Sequence, residues 1–132
     1  MALKPAAVLR SEAEEEQAAT MVAAREFACR AVAEANASAV YLFGSRANRR
    51  AHRGSDCDLL VVSPLFAGVP APGRPLLVDR LWNGPVGADL VCVTPAEFET
   101  SKHRVTLVAM ALADGAVRID PDADAGLAFP FR

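Results

Sequence analysis

The sequence predicts an α/β (α+β) domain of two layers, in which a small mixed β-sheet is flanked by helices. Segments with helical signals alternate with short apolar runs of β type, a pattern typical of such domains. The 132 residues, 52% of them hydrophobic, are enough to bury one core but too few for two. We therefore expect a single domain over residues 1–132, with a core from about 11 to 119 and an irregular tail over 120–132.

The first predicted element is a long helix from Glu12 to Ala35. Ser11 and Glu14 match a capping box, and the acids at 12–16 suit the positive end of a helix dipole. Asn36 is a residue that can end the helix. The larger apolar residues that we expect to pack into the core from this helix are Val22, Phe27, Cys29 and Val32.

Two short apolar runs follow, and both predict buried strands. Val40–Phe43 ends at Gly44, and Leu59–Val62 ends at a Ser-Pro pair. Residues 63–75 hold four prolines and two glycines, which predicts a loop, and residues 76–82 suit one short helix.

A third strand and a further helix are predicted next. Residues 87–93 form an apolar run that an aspartate interrupts, and residues 94–97 supply an N-cap threonine, an N1 proline and an N3 glutamate. Gly115 is expected to end the helix, and residues 116–119 to add an edge strand. The apolar stripe of this helix is expected at Val105, Val108, Ala109 and Leu112.

Composition excludes several classes of protein. The net charge of −2 argues against a nucleic-acid substrate held by a basic surface. No apolar run is long enough to span a membrane, and the N-terminus lacks the apolar core of a signal peptide, so we expect a cytoplasmic protein. The separated Cys29, Cys57 and Cys92 predict neither a disulfide framework nor a zinc site, and His52 and His103 stand in no zinc motif.

Three aspartates are the candidate catalytic residues. Asp56 and Asp58 stand two apart at the start of a strand, so their side chains leave the same face and repel each other unless a cation lies between them. Such hard oxygen ligands suit Mg²⁺, which completes its shell with water and substrate phosphate. Asp89 lies among apolar residues of the next strand and is the candidate third acid, for a second metal or for a proton. Asp79 is the competing candidate.

A turn and a basic segment precede the acids and predict a phosphate site. Glycine at position 44 lets backbone N–H groups approach an anion, and Ser45 adds a hydroxyl donor. If the segment turns helically, its four arginines share one face and favour a polyphosphate, and we expect Arg46 and Arg49 to contact it. Taken singly, each feature also has an ordinary explanation: a solvated arginine-rich turn, a capping aspartate at the start of a strand, or an acid that faces water on an edge strand.

In combination, these features resemble the nucleotidyltransferase superfamily of the DNA polymerase β type. The resemblance rests on Gly44-Ser45, ten intervening residues, Asp56-x-Asp58, the apolar run that follows, and Asp89 in a later strand. The sequence looks most similar to the minimal nucleotidyltransferases that act as antitoxins of HEPN-domain toxins. The resemblance implies a polymerase β-type fold.

The resemblance also implies roles for the candidate residues. The Gly-Ser turn would hold the β and γ phosphates, Asp56 and Asp58 would bind two Mg²⁺ ions, and Asp89 would serve the second metal and the incoming hydroxyl. The implied reaction is in-line attack of an acceptor hydroxyl on the α-phosphorus of ATP or another NTP, with pyrophosphate leaving. By family analogy, the acceptor is a tyrosine of a HEPN-type toxin.

Two other functions remain open at this stage. Nucleotide transfer to a small hydroxylated molecule, such as an aminoglycoside, requires an acidic acceptor pocket that the sequence does not show. An antitoxin that only binds its partner would not need three acids placed together. A template-directed polymerase is disfavoured by the short chain and its net acidity.

Overall fold

The fold is a four-stranded mixed sheet with helices on both faces. The structure is a computed structural model that describes residues 3–102, 107–113 and 115–119. Within these residues, the strand order is β3-β2-β1-β4, and no helix combines the length and apolar character needed to cross a bilayer. The helices and strands are α1 (Ala6–Ala35), β1 (Ala39–Phe43), α2 (Gly44–Asn48), β2 (Cys57–Val62), β3 (Ala88–Val93), α3 (Pro95–Ser101), α4 (Leu107–Ala113) and β4 (Val117–Ile119).

The first helix begins earlier than the sequence indicated. It starts at Ala6, and Pro5 is its N-cap without a side-chain hydrogen bond, so the expected capping box at Ser11 is wrong. Alanine-rich sequence propagates a helix readily, and it carries the helix through Ser11 to an earlier start. The predicted end is confirmed: Asn36 adopts the left-handed conformation with φ of 52°, and its N–H bonds to the carbonyl of Ala31.

The side chains through which α1 packs also differ from the expectation. Phe27 is buried as predicted, but Val22 is 59% exposed and Val32 is 41% exposed. Cys29 is exposed as well. Alanine lets the helix axis approach the sheet closely, so small side chains form the core contact and the valines face outward. The buried residues of α1 are Thr20, Met21, Ala23, Ala24, Phe27, Ala28, Ala31 and Ala35.

The sheet has mixed strand directions. Side chains alternate between its two faces, and each face packs against different helices. β1 is antiparallel to β2 and β4, whereas β2 is parallel to β3. Cys57, Leu59 and Val61 belong to the core beneath α1, while Leu60 and Val62 pack with residues of α3 and α4 on the opposite face. All three predicted strands and the predicted edge strand are present.

The connection from β2 to β3 contains 3₁₀ turns instead of the expected short α-helix at 76–82. The turns lie at Pro64–Phe66, Ala71–Leu77 and Asp79–Leu81. Prolines lack the N–H that an α-helix needs beyond its first turn, which favours short 3₁₀ pieces here. Arg74 anchors this connection, because its guanidinium donates to both carboxylate oxygens of Glu97, at 2.6 and 3.0 Å.

The predicted start of the helix after β3 is confirmed. Thr94 and Glu97 form a reciprocal capping box at the N-terminus of α3, with hydrogen bonds of 2.8 and 3.1 Å. α3 ends at Ser101, and a separate stretch, α4, covers Leu107–Ala113. The predicted stripe residue Val105 and the tail over 120–132 lie outside the described residues.

Candidate functional site

The centre of the site is formed by three residues that pair with one another across β1, β2 and β3. In the sheet register, Asp58 pairs with Phe43 of β1 on one side and with Asp89 of β3 on the other. Paired residues on neighbouring strands project from the same face, so the two carboxylates stand side by side. This face is opposite to the one that α1 covers, because Leu60 and Val62 share it with Asp58. The structure therefore brings two of the three predicted acids together.

Asp56 approaches the same region from the segment before β2. Asp56 is exposed. Its Oδ1 atom lies close to Gly87, because a Cβ added to Gly87 would be only 2.8 Å from that oxygen. The N–H of Cys57 donates to the carbonyl of Gly87 at 2.8 Å, which fixes the start of β2 against the start of β3. Asp56 therefore lies beside the backbone that leads directly into Asp89.

Gly44 joins the acids to the turn after β1. Its φ of 71° favours glycine, and a Cβ at this position would collide with Oδ2 of Asp58. Ser45 follows as the second residue of α2 and is half-buried. The Gly-Ser turn is thus in direct contact with Asp58.

The acids interact electrostatically. Burial raises the pKa of Asp58 above its ordinary value, and the negative charges of Asp89 and Asp56 raise it further. Repelling carboxylate oxygens are a donor set that suits Mg²⁺, so the chemistry of the three side chains fits a divalent cation. Within the described residues, however, no three His, Cys, Asp or Glu side chains already converge into a metal cage.

The guanidinium of Arg46, which we expected to contact a nucleotide, is buried against α1 and the residue before Asp56. Arg46 is only 1% exposed, and its guanidinium donates to Glu16, to Gln17 and twice to the carbonyl of Ser55, over 2.7–3.2 Å. Gln17 donates back to the Arg46 carbonyl at 3.0 Å. Arg46, Glu16, Gln17 and Ser55, which we call the Arg46 cluster, join α1, α2 and the residue before Asp56.

The other arginines of the segment do not follow Arg46 along one continuous helix. Arg49 adopts a left-handed conformation with φ of 63° and ends α2, so the helix that would have aligned the arginines stops there. Arg53 forms an ion pair with Glu12 of α1. Arg49 is exposed and lines a cavity of about 400 Å³ together with Glu14, Gln17 and other residues of α1. Its contact with a nucleotide stays a prediction.

Comparison with known protein families agrees with this geometry. Residues 24–114 match the family described as "Nucleotidyltransferase domain", a span that contains the Gly-Ser turn and all three acids. The chain belongs to the nucleotidyltransferase domain family. Nucleotidyltransferase domains act on nucleoside triphosphates and generally use divalent metals, which agrees with the oxygen donors described above.

A solved structure supports the fold of this nucleotidyltransferase domain. The chain is similar to a "putative nucleotidyltransferase" from Sulfolobus solfataricus, with a TM-score of 0.57 and 24% sequence identity over 89% of both chains. At this identity the similarity shows the fold alone. No curated protein matches the sequence significantly.

Sequence reasoning missed the partners of Arg46 in this nucleotidyltransferase domain. From the sequence, Glu16 and Gln17 were only part of the first helix. In the structure they accept hydrogen bonds from Arg46, and Glu16 also accepts one from Gly54, in the segment that leads to Asp56. Hydrogen bonds from Arg46 and from the N–H of Gly54 lower the pKa of Glu16 and keep its carboxylate ionised. No local pattern could reveal this cluster, because about 30 residues separate Arg46 from its partners on α1.

Proposed function

We propose that this nucleotidyltransferase domain transfers a nucleoside monophosphate, AMP from ATP, to a hydroxyl of a protein acceptor and thereby acts as the antitoxin of a HEPN-type toxin. The observation that carries the transfer is the pairing of Asp58 with Asp89 across β2 and β3, with Gly44 against the same Asp58 carboxylate. Acids and phosphate-binding turn are adjacent, as transfer from a nucleoside triphosphate requires.

Each residue of the site has a distinct task in this proposal. Asp56 and Asp58 would hold two divalent metal ions together with Asp89, and these ions would neutralise the triphosphate and the charge that develops on it. Ser45 donates its hydroxyl to a terminal phosphate, next to Gly44, where the absence of a side chain leaves room for backbone N–H groups to approach. Arg46 has a positioning task, because it holds the carbonyl of Ser55 beside Asp56.

The reaction exchanges one phosphate bond for another. The acceptor oxygen attacks the α-phosphorus, a new P–O bond forms, and the bond to the bridging oxygen of the β-phosphate breaks, so pyrophosphate leaves. The acceptor hydroxyl must lose its proton, and in this proposal the carboxylate of Asp89, which is exposed, would receive it. The remaining task of the protein is to align the hydroxyl with the departing pyrophosphate.

The exposure of the site supports a macromolecular acceptor. Asp56 and Asp89 are both exposed at the end of the sheet, so a side chain on the surface of another protein can reach them. An acceptor of this kind supplies its own surface and needs no deep pocket. The identification of the acceptor as a tyrosine of a HEPN-type toxin rests on the similarity of the motif to minimal nucleotidyltransferases.

Labelled ATP tests the proposed transfer. The purified protein and Mg²⁺ are incubated with a lysate of its source cells and ATP labelled at the α or at the γ phosphate. We expect label on a protein from the α position only, and its loss in Asp56→Asn, which removes one metal-binding charge. Glu34→Gln is the matched control, because Glu34 is an exposed acid of α1, the helix on the opposite face of the sheet, and the variant should retain full transfer.

The remaining outcomes separate the alternative functions. Label from the α position on a small molecule would replace the protein acceptor with a small hydroxylated one. Binding of MgATP without any transferred label would favour an antitoxin that acts by contact alone. Transfer of the γ label, or full transfer by Asp56→Asn, would contradict the assigned reaction.

A further inference from the structure

A closed loop leads from the connection between β2 and β3 into the candidate site. It covers residues 82–87, which we call the Trp82 loop, and β3 begins at the next residue. The indole Nε1–H of Trp82 donates to the carbonyl of Val86 at 2.8 Å, four residues along the chain. Because this bond joins the two ends of the loop, it fixes the point at which the chain enters β3.

The indole of Trp82 is held in turn by α1. Its ring packs edge-on against the ring of Phe27, with centroids 6.2 Å apart and planes at 65°, and Phe27 is fully buried. The residue before Trp82 is held by the same helix, because Arg30 donates to the carbonyl of Leu81 at 3.2 Å. Trp82 therefore gives Val86 a fixed position relative to α1.

The backbone of the Trp82 loop lies directly against the indole. A Cβ added to Gly84 would collide with Cζ2 of Trp82 and lie 2.7 Å from its Cε2, so any larger residue would displace the ring or the loop. A Cβ added to Gly73, in the same connection between strands, would meet Cγ1 of Val69 at 4.0 Å, which is an ordinary contact. The close approach at Gly84 indicates that the loop is shaped around the indole.

Gly87, the last residue of the Trp82 loop, contacts the candidate site. Its carbonyl accepts from the N–H of Cys57 at 2.8 Å, and a Cβ added to it would be 2.8 Å from Oδ1 of Asp56. Asp89 follows two residues later on β3. A displacement of Gly87 would therefore change the position of Asp89 relative to Asp56.

We propose that Trp82 is a positioning residue, which holds Gly87 through the bond to Val86 and thereby sets the spacing of Asp56 and Asp89 for a divalent cation. The inference rests on the metal-binding part of the proposed function. Mg²⁺ requires near-ideal octahedral geometry, so carboxylates serve it together only at a suitable spacing. Replacing residues that orient metal ligands weakens metal binding by about 10–100-fold. Because Trp82 acts through the backbone, we expect the lower value.

Mn²⁺ binding tests the inference without nucleotide and without transfer. Mn²⁺ accepts the same oxygen ligands as Mg²⁺, and its electron paramagnetic resonance signal measures the free ion. Trp82→Phe keeps a ring beside Phe27 but removes the indole N–H, so the Kd for Mn²⁺ should rise about tenfold. Phe66→Leu alters a buried ring in the 3₁₀ turn Pro64–Phe66. It should lower the urea midpoint and leave the Kd unchanged, which separates positioning from stability.

A pair of glycine variants tests the loop without changing Trp82. Gly84→Ala should displace the loop from the indole and weaken Mn²⁺ binding by a similar factor, whereas Gly73→Ala should not. The chain has a single tryptophan, so one indole N–H resonance reports directly on the bond to Val86. In Gly84→Ala this resonance should shift and its proton should exchange faster with solvent, and in Gly73→Ala both properties should stay as in the unmodified protein.

The outcomes separate this inference from the proposed transfer. Weaker Mn²⁺ binding confined to Trp82→Phe and Gly84→Ala supports the positioning role, whether or not the labelled-ATP experiment detects transfer. Equal Kd values for these two variants and the unmodified protein would overturn the role of Trp82 and leave the transfer reaction untouched. An equal loss of affinity in Phe66→Leu, or no Mn²⁺ binding by the unmodified protein, would overturn it as well.

Discussion

Replacing Arg46 with methionine tests the Arg46 cluster, in which Arg46 and the N–H of Gly54 both donate hydrogen bonds to the carboxylate of Glu16. Arg46 is 1% exposed and Glu16 is 17% exposed. The substitution therefore leaves a mostly buried carboxylate without its cation and removes two hydrogen bonds from the Ser55 carbonyl. Loss of one partner from such a pair costs about 3 kcal/mol of folding free energy, at the lower end of the range for buried pairs.

Urea unfolding measures this cost and includes a matched control. A loss of about 3 kcal/mol lowers the urea midpoint by roughly 1–3 M. Arg53→Met removes the same side chain from the same segment, but its ion pair with Glu12 is 56% exposed on the arginine side, so we expect a much smaller loss of stability. Equal midpoints for the two variants would refute the assigned role of Arg46.

Activity supplies an independent readout for the same variant. The Arg46 cluster holds the residue before Asp56, so Arg46→Met should reduce nucleotide transfer even at a temperature where the variant is fully folded. Arg53→Met should transfer normally under the same conditions. Normal transfer by folded Arg46→Met would leave the cluster with a purely structural role.

Three further predictions concern other parts of the molecule. Gly44→Ala should abolish transfer and destabilise the fold, because Gly44 has φ of 71° and a Cβ there meets the carboxylate of Asp58; transfer assays and urea unfolding measure both effects. Bonding to Arg74 lowers the pKa of Glu97 from 4.5 to about 2. The stability that Glu97 contributes is therefore complete above about pH 4.5 and lost as the pH falls towards 2, so the urea midpoints of the unmodified protein and Glu97→Gln should converge on acidification. Burial raises the pKa of Cys57 to about 12, so alkylation of the native protein near neutral pH should label the exposed Cys29 and reach Cys57 only after unfolding.

Each of these predictions has a control or a contradicting outcome. Gly68 has φ of 77° and nothing within 4 Å of an added Cβ, so Gly68→Ala costs only the left-handed conformation, about 1–2 kcal/mol. Equal effects of the two alanine substitutions would contradict the contact between Gly44 and Asp58. A midpoint difference at Glu97 that persists to pH 2 would contradict the depressed pKa, and labelling of Cys57 in the native protein would contradict its burial.

The strands and the capping box at Thr94 were predictable because their signals are local. Val40–Phe43 and Leu59–Val62 are apolar runs bounded by turn residues, and the cap at Thr94 needs only a neighbour three residues away. The start of α1 was not predictable from Ser11 and Glu14, because helix propagation through alanine-rich sequence outweighed a single cap. A capping signal therefore does not mark the start of a helix where cooperative helix propagation continues through it.

The acids of the candidate site were predictable, but the role of Arg46 was not. Asp58 and Asp89 lie on strands that their apolar runs mark, and strand pairing then brings the two residues together. Arg46 looked like a phosphate ligand because it follows a Gly-Ser turn. Its side-chain partners, Glu16 and Gln17, lie on α1, and an isolated sequence does not show which distant carboxylate a long side chain reaches.

The alternation of side chains along β2 and β3 determines where residues can be inserted or deleted without moving the acids. The connection between the strands can gain or lose residues without moving either acid, because the strand register alone keeps Asp58 beside Asp89. A single residue inserted between Ala88 and Asp89 would instead turn the acid towards the face that α1 covers. We therefore expect relatives with the same activity to differ in length between the strands, and engineered insertions to be tolerated at 67–73 but not within 88–93.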